Sequence, residues 1–164
     1  MNMADLTRLG INEDELGVVV VDHGSRRAEA NEMLLQVVDL FRHQTGYGIV
    51  EPAHMELVEP TVATAFDRCV ERGAKLIIVM PYFLSPGRHW DEHIPELARE
   101  AAARHTGLRF LMTAPLGPHT LMTQLMQARI EGCVSHALGD ATACEVCHNQ
   151  PKCRIIDADE AASG

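Results

Sequence analysis

The chain alternates short apolar runs with longer stretches whose apolar residues recur every three or four positions. Four runs stand out: GVVVVDH (17–23), IVEPAHMELV (49–58), KLIIVMPYF (75–83) and LRFLMTAPL (108–116). Consecutive valines leave no polar face, so the first run predicts a strand buried on both sides, as in a parallel sheet. Pro52 is expected near the start of the second strand or at an irregularity in it. The intervening periodicity predicts helices over 25–45, 61–72, 91–105 and 118–138. Met33, Leu34, Val37, Val38 and Phe41 form the stripe of the first, and Leu121, Leu125, Met126 and Ile130 that of the last. Ser25 and Thr61 are available as caps, Asp91 and Glu92 suit a helix start, and Pro95 fits only within a first turn. Strand alternating with helix four times predicts an α/β sandwich with a mainly parallel four-stranded sheet and right-handed crossovers. The organisation expected is an N-terminal segment (1–16), one domain (17–140) and a cysteine-bearing extension with an acidic, small-residue tail (141–164).

Composition narrows the classes. With 164 residues, 46% of them hydrophobic and 23% charged, the chain can bury a core of its own without staples. No apolar run approaches the roughly 20 residues that span a bilayer. The first residues lack the basic start and apolar stretch of a signal peptide, so a cytoplasmic setting is expected. A formal charge of −9 argues against a nucleic-acid partner and means that an anionic ligand needs a local basic cluster. Five cysteines in such a chain read as thiols or metal ligands rather than disulfides.

In a parallel sheet, ligands bind beyond the carboxyl ends of the strands. DHGSRR (22–27), MELVEP (55–60) and PYFLSPGRH (81–89) fall there. His23 and His89 on neighbouring loops can hold a divalent metal and leave positions open for its transfer. The plainer alternatives are a hydrogen-bonded turn residue for His23 and a solvated one for His89. His93 reads as a polar residue of a first helical turn. His43, His54, His105, His119 and His136 read as surface or hydrogen-bonded residues. Glu56 and, less favourably, Glu59 are candidate carboxylates for attracting a cation or taking up protons. Arg26, Arg27 and Arg88 offer positive charge to an anion. Met55, Leu57 and Val58 are expected to fill the core. Cys144 and Cys147, with Cys153 five intervening residues further on and Cys133 before them, suggest a thiolate cluster for zinc or iron–sulfur. Cys69 reads as a small buried residue.

Together, HGSR, MELVEPT, PYFLSPGRH and the following IPEL resemble the sirohydrochlorin chelatases, the small class II chelatases, over roughly residues 17–132. The resemblance implies a chelatase-like three-layer sandwich that inserts Fe²⁺ or Co²⁺ into sirohydrochlorin, an anionic tetrapyrrole. His23 and His89 fall on the metal-handling histidines, with Glu56 or one of the histidines as base. Ser25, Arg26, Arg27, Arg88, Tyr82 and Leu84 would meet the macrocycle, while Phe83 is expected to pack and Trp90 either to pack or to press on the ring. Where the family usually carries an aspartate before IP, this chain has His93. The C-terminal segment resembles the extension of plant-type sirohydrochlorin ferrochelatases, which implies an iron–sulfur cluster on Cys133, Cys144, Cys147 and Cys153. Short members of the family pair as homodimers, which implies a two-fold partner. Two non-catalytic alternatives are a metal carrier and an iron–sulfur redox sensor.

Overall fold

A computed structural model describes residues 3–140, 146 and 154–156. Cys144, Cys147 and Cys153 lie outside the described residues. Four strands, β1 (Leu16–Asp22), β2 (Ile49–His54), β3 (Leu76–Pro81) and β4 (Arg109–Met112), form one sheet in the order β2-β1-β3-β4. All three pairings are parallel, with Val20 opposite Pro52 and Met80. The winding therefore reverses between β1 and β3. Pro52 lies in the middle of its strand rather than near its start. An edge strand tolerates this, because one side of its backbone has no ladder partner.

Side-chain alternation along β1 builds two cores. Val19 and Val21 join Phe66, Ile77, Val79, Ile94 and Ala98, beneath α3 (Val62–Glu71) and α4 (Ile94–Ala103). Val18 and Val20 join Val50, Leu34 and Val38, beneath α2 (Ala28–Thr45). The result is three layers, with both faces of the sheet covered as the valine run predicts. Thr61 caps α3 by accepting from Thr64 N at 3.2 Å, and Pro95 falls in the first turn of α4.

Several expectations change. The first residues form a helix, α1 (Met3–Leu9), whose Leu6 packs with Ile11, Leu16 and Leu76. The N-cap of α2 is Arg27, not Ser25; the Ser25 hydroxyl instead accepts from Arg27 N at 3.1 Å. Met33 is exposed, so the buried stripe of α2 is Leu34 and Val38. Residues 89–93 form a π-helical turn ahead of α4 rather than lying partly in a single helix from 91.

Residues Pro118–Gly164 make a second compact unit, separate from Met1–Gly117. Its helix α5 (Thr120–Ala137) has no buried residue, and Leu121, Leu125, Met126 and Ile130 are all exposed. Those four also do not share one side, because at 3.6 residues per turn Met126 and Ile130 fall roughly 140° and 180° around the helix from Leu121.

Candidate active site

Backbone hydrogen bonds continue past the strand ends and hold three loops together. Met55 N donates to Asp22 O at 2.8 Å, Glu56 N to His23 O at 3.3 Å, and Tyr82 N to Val21 O at 2.7 Å. The loops after β1, β2 and β3 thus meet around the point where the winding reverses, the usual ligand position in such sheets.

His23 follows β1 and is exposed. His89 opens the π-helical turn after β3, an irregularity that often accompanies function. Their ring centroids lie 4.2 Å apart at 84°. Phe83 packs on the core and meets the His23 ring at 4.8 Å between centroids, the two rings nearly perpendicular. His93 does more than cap a turn: its Nδ1 is 3.0 Å from Nδ1 of His89. In the tautomer in which His89 Nδ1–H donates to His93 Nδ1, Nε2 of His89 keeps its lone pair for a ligand. Desolvation first, then the charges of His23 and His93, hold the His89 pKa below the usual histidine value, against an opposing pull from Glu56. The neutral imidazole, the form that binds metal, is favoured accordingly. Among the described residues, no group of three or more His, Cys, Asp or Glu converges into a metal cage.

The turn between β1 and the arginines depends on Gly24. Its φ is +78°, and a Cβ there would lie 2.2 Å from Glu56 O. Asp22 sits beneath, with Oδ1 accepting from Gly24 N at 2.9 Å and from His54 Nδ1 at 2.6 Å. His54 is 1% exposed, so of the two readings given for it the hydrogen-bonded one holds, and it lies in the core. This pair was not identified from the sequence; a histidine inside the otherwise apolar IVEPAH strand was its only signal.

The two carboxylates separate. Glu59 Oε2 accepts from Thr61 N at 2.9 Å and from Thr64 Oγ1 at 2.8 Å. These bonds, the backbone one first, lower its pKa and commit it to the start of α3. Glu56 remains exposed beside the histidines. Arg26 and Arg27 are exposed with no ion pair among the described residues, and Arg88 Nε lies 3.7 Å from Glu92 Oε2. Ser25 is half-buried and tied to Asn31, which bonds both its N–H and its carbonyl at 2.8 Å. Tyr82 and Leu84 are exposed on the β3 loop. Trp90 is anchored, its Nε1 donating to Thr113 O at 2.9 Å.

Leu57 departs furthest from expectation. It is 60% exposed rather than buried, and its φ is +74°. Such a backbone costs a non-glycine residue on the order of 1–3 kcal/mol. Cys69, by contrast, is fully buried as expected, with burial pushing its thiol up to about 12. Cys133 is exposed on α5.

Comparison with known proteins gives the family of this chain and agrees with its fold. The chain is 49% identical over 153 residues to the chloroplastic sirohydrochlorin ferrochelatase of Arabidopsis thaliana, covering 93% of this chain and 68% of that one. It is 30% identical to a sirohydrochlorin cobaltochelatase of Priestia megaterium, over 70% of this chain and 37% of the relative. The crystal structure of the sirohydrochlorin chelatase SirB from Bacillus subtilis subspecies spizizenii with cobalt superposes with a TM-score of 0.67 at 28% identity. It covers 71% of this chain and 50% of SirB, so the chain spans half the length of that enzyme. The CbiX family profile matches residues 17–133, from the first residues of β1 into α5, and the chain belongs to the CbiX family.

Proposed function

We propose that this protein is an enzyme that inserts a divalent metal, Fe²⁺ in the first instance, into sirohydrochlorin. The observation that carries this reading is the edge-on meeting of His23 and His89 at the strand-order reversal of a CbiX-family sheet. The 49% identity to a sirohydrochlorin ferrochelatase favours iron, while the match to a cobaltochelatase makes Co²⁺ the second metal to test.

The metal ion binds the neutral imidazoles of His23 and His89, with water in its remaining positions. His89 offers Nε2 in the tautomer whose Nδ1–H donates to His93. The macrocycle lies across the loop ends, its peripheral carboxylates toward Arg26, Arg27 and Arg88. Its pyrrole nitrogens displace water and then imidazole as the metal enters, and two N–H protons leave. Glu56 is the carboxylate free to take up one of them, since Glu59 is held at α3, and an imidazole released by the metal takes up the other.

Anaerobic protein mixed with excess sirohydrochlorin and Fe²⁺ or Co²⁺ tests the proposal. An enzyme forms many metallated rings per chain, seen as the change in the macrocycle spectrum, whereas a carrier stops at one equivalent. Product that never exceeds the protein concentration would count decisively for the carrier.

The proposal extends to an iron–sulfur cluster on the C-terminal cysteines, supported by the Cys144-x-x-Cys147 spacing with Cys133 and Cys153 nearby. Replacing Cys144 and Cys147 together is expected to abolish visible absorption of the purified protein before any ring is added. Retained absorption would exclude those ligands. Pairing into a homodimer is supported by the exposed apolar residues of α5. No helix among the described residues is long and apolar enough to cross a membrane. A cytoplasmic setting is proposed, while the Arabidopsis relative is chloroplastic by name.

A further inference from the structure

We infer that Leu57 is a contact for the face of the tetrapyrrole, an assignment that rests on the reading of this rim as the ring's seat. Val58 N donates to Glu56 O at 2.9 Å across Leu57, closing a three-residue turn with leucine in the left-handed region. Glycine or asparagine fits such a position without the steric conflict that a leucine suffers. The fold gives the leucine little packing in exchange. Its side chain is mostly exposed and joins none of the hydrophobic clusters among the described residues.

Its place relative to the histidines is fixed. The preceding residue, Glu56, donates its N–H to His23 O, and the His23 ring stands against His89. On the other flank of β1, the β3 loop presents Tyr82 and Leu84, 41% and 65% exposed. Exposed apolar groups thus stand on the β2 and β3 loops that flank His23, the second of which carries His89, and the arginines lie on the β1 and β3 loops. That combination suits a flat conjugated ring with an acidic periphery: apolar contact at the plane, charge at the edge. A strained leucine without a packing role is a cost to the free subunit that covering by the ring offsets.

The test uses full-length Leu57→Gly and Leu57→Met, with metal-free titration of sirohydrochlorin followed by absorbance, thermal melting and size-exclusion chromatography. Glycine relieves the backbone and deletes the side chain, so its melting temperature is expected to equal or exceed that of the unaltered protein. Its affinity for the ring is expected to fall about tenfold. Methionine keeps apolar bulk and is expected to retain most of the affinity. Unchanged ring affinity in Leu57→Gly would overturn the assignment, as would a loss of self-association with ring affinity intact. Absence of ring binding by the unaltered protein would overturn the proposed function as well, which separates the two failures.

Discussion

Replacing His89 with alanine is expected to lower the rate of metal insertion by at least about a hundredfold, with His23→Ala similar in size. Neither ring is part of the hydrophobic clusters, and His23 is exposed, so unfolding free energy should change by only about 0.5 kcal/mol. The physical ground is that the two rings meet edge to face, 4.2 Å between centroids, and a metal ion held by one imidazole exchanges with water far more readily than one held by two. The double variant sharpens the test. Residues that grip one ion act as a unit, so His23→Ala with His89→Ala together should be scarcely slower than either alone. Rates are to be measured by the appearance of metallated ring under saturating substrate, with circular dichroism melting alongside. Insertion by either single variant at a rate close to that of the unaltered protein would remove the site from consideration.

Gly24→Ala is expected to injure both the fold and the activity, although it adds one methyl group. An alanine at φ +78° costs about 1–2 kcal/mol, and the new carbon would sit 2.2 Å from the carbonyl oxygen of Glu56. Backbone cannot yield cheaply there, because Glu56 N is bonded to His23 O and Gly24 N to Asp22 Oδ1. The β1 and β2 loops must part. We expect a melting temperature lower by roughly 5 °C or more. Insertion should fall at least about tenfold at temperatures where the variant is still folded, since small misplacements of reacting groups are costly. Melting curves and initial rates on the same preparation check this. A variant that melts and turns over like the parent would show that the two loops are not locked.

Much of the architecture was legible because apolar patterning reports burial directly. The valine run could belong only to a strand covered on both faces, and Val18 to Val21 do divide between two cores. Pattern was a poorer guide to where strands stop. MELV continues the apolar run after β2, but Leu57 turns into the left-handed region and leaves the sheet; hydropathy carries no sign of φ. The TAPL stretch likewise follows β4 without belonging to it. Helix α1 is only seven residues long, too short for periodicity to declare it. For the site, motif spacing pointed to His23 and His89 on adjacent loops, and they do meet. What spacing could not reveal was pairing: His93 with His89 through their Nδ1 atoms, or Asp22 with His54 across two strands. The fate of Glu59 was similarly hidden, because its bonds to Thr61 and Thr64 exist only once α3 has formed.

The stitching of the loops by peptide groups has an evolutionary corollary. Bonds such as Tyr82 N to Val21 O and Met55 N to Asp22 O survive nearly any exchange of the side chains above them. Donor chemistry at the rim is therefore free to drift while the platform stays put. A side chain at the rim, such as His93, can be exchanged without refolding anything, and this one chain resembles both kin named for iron and kin named for cobalt.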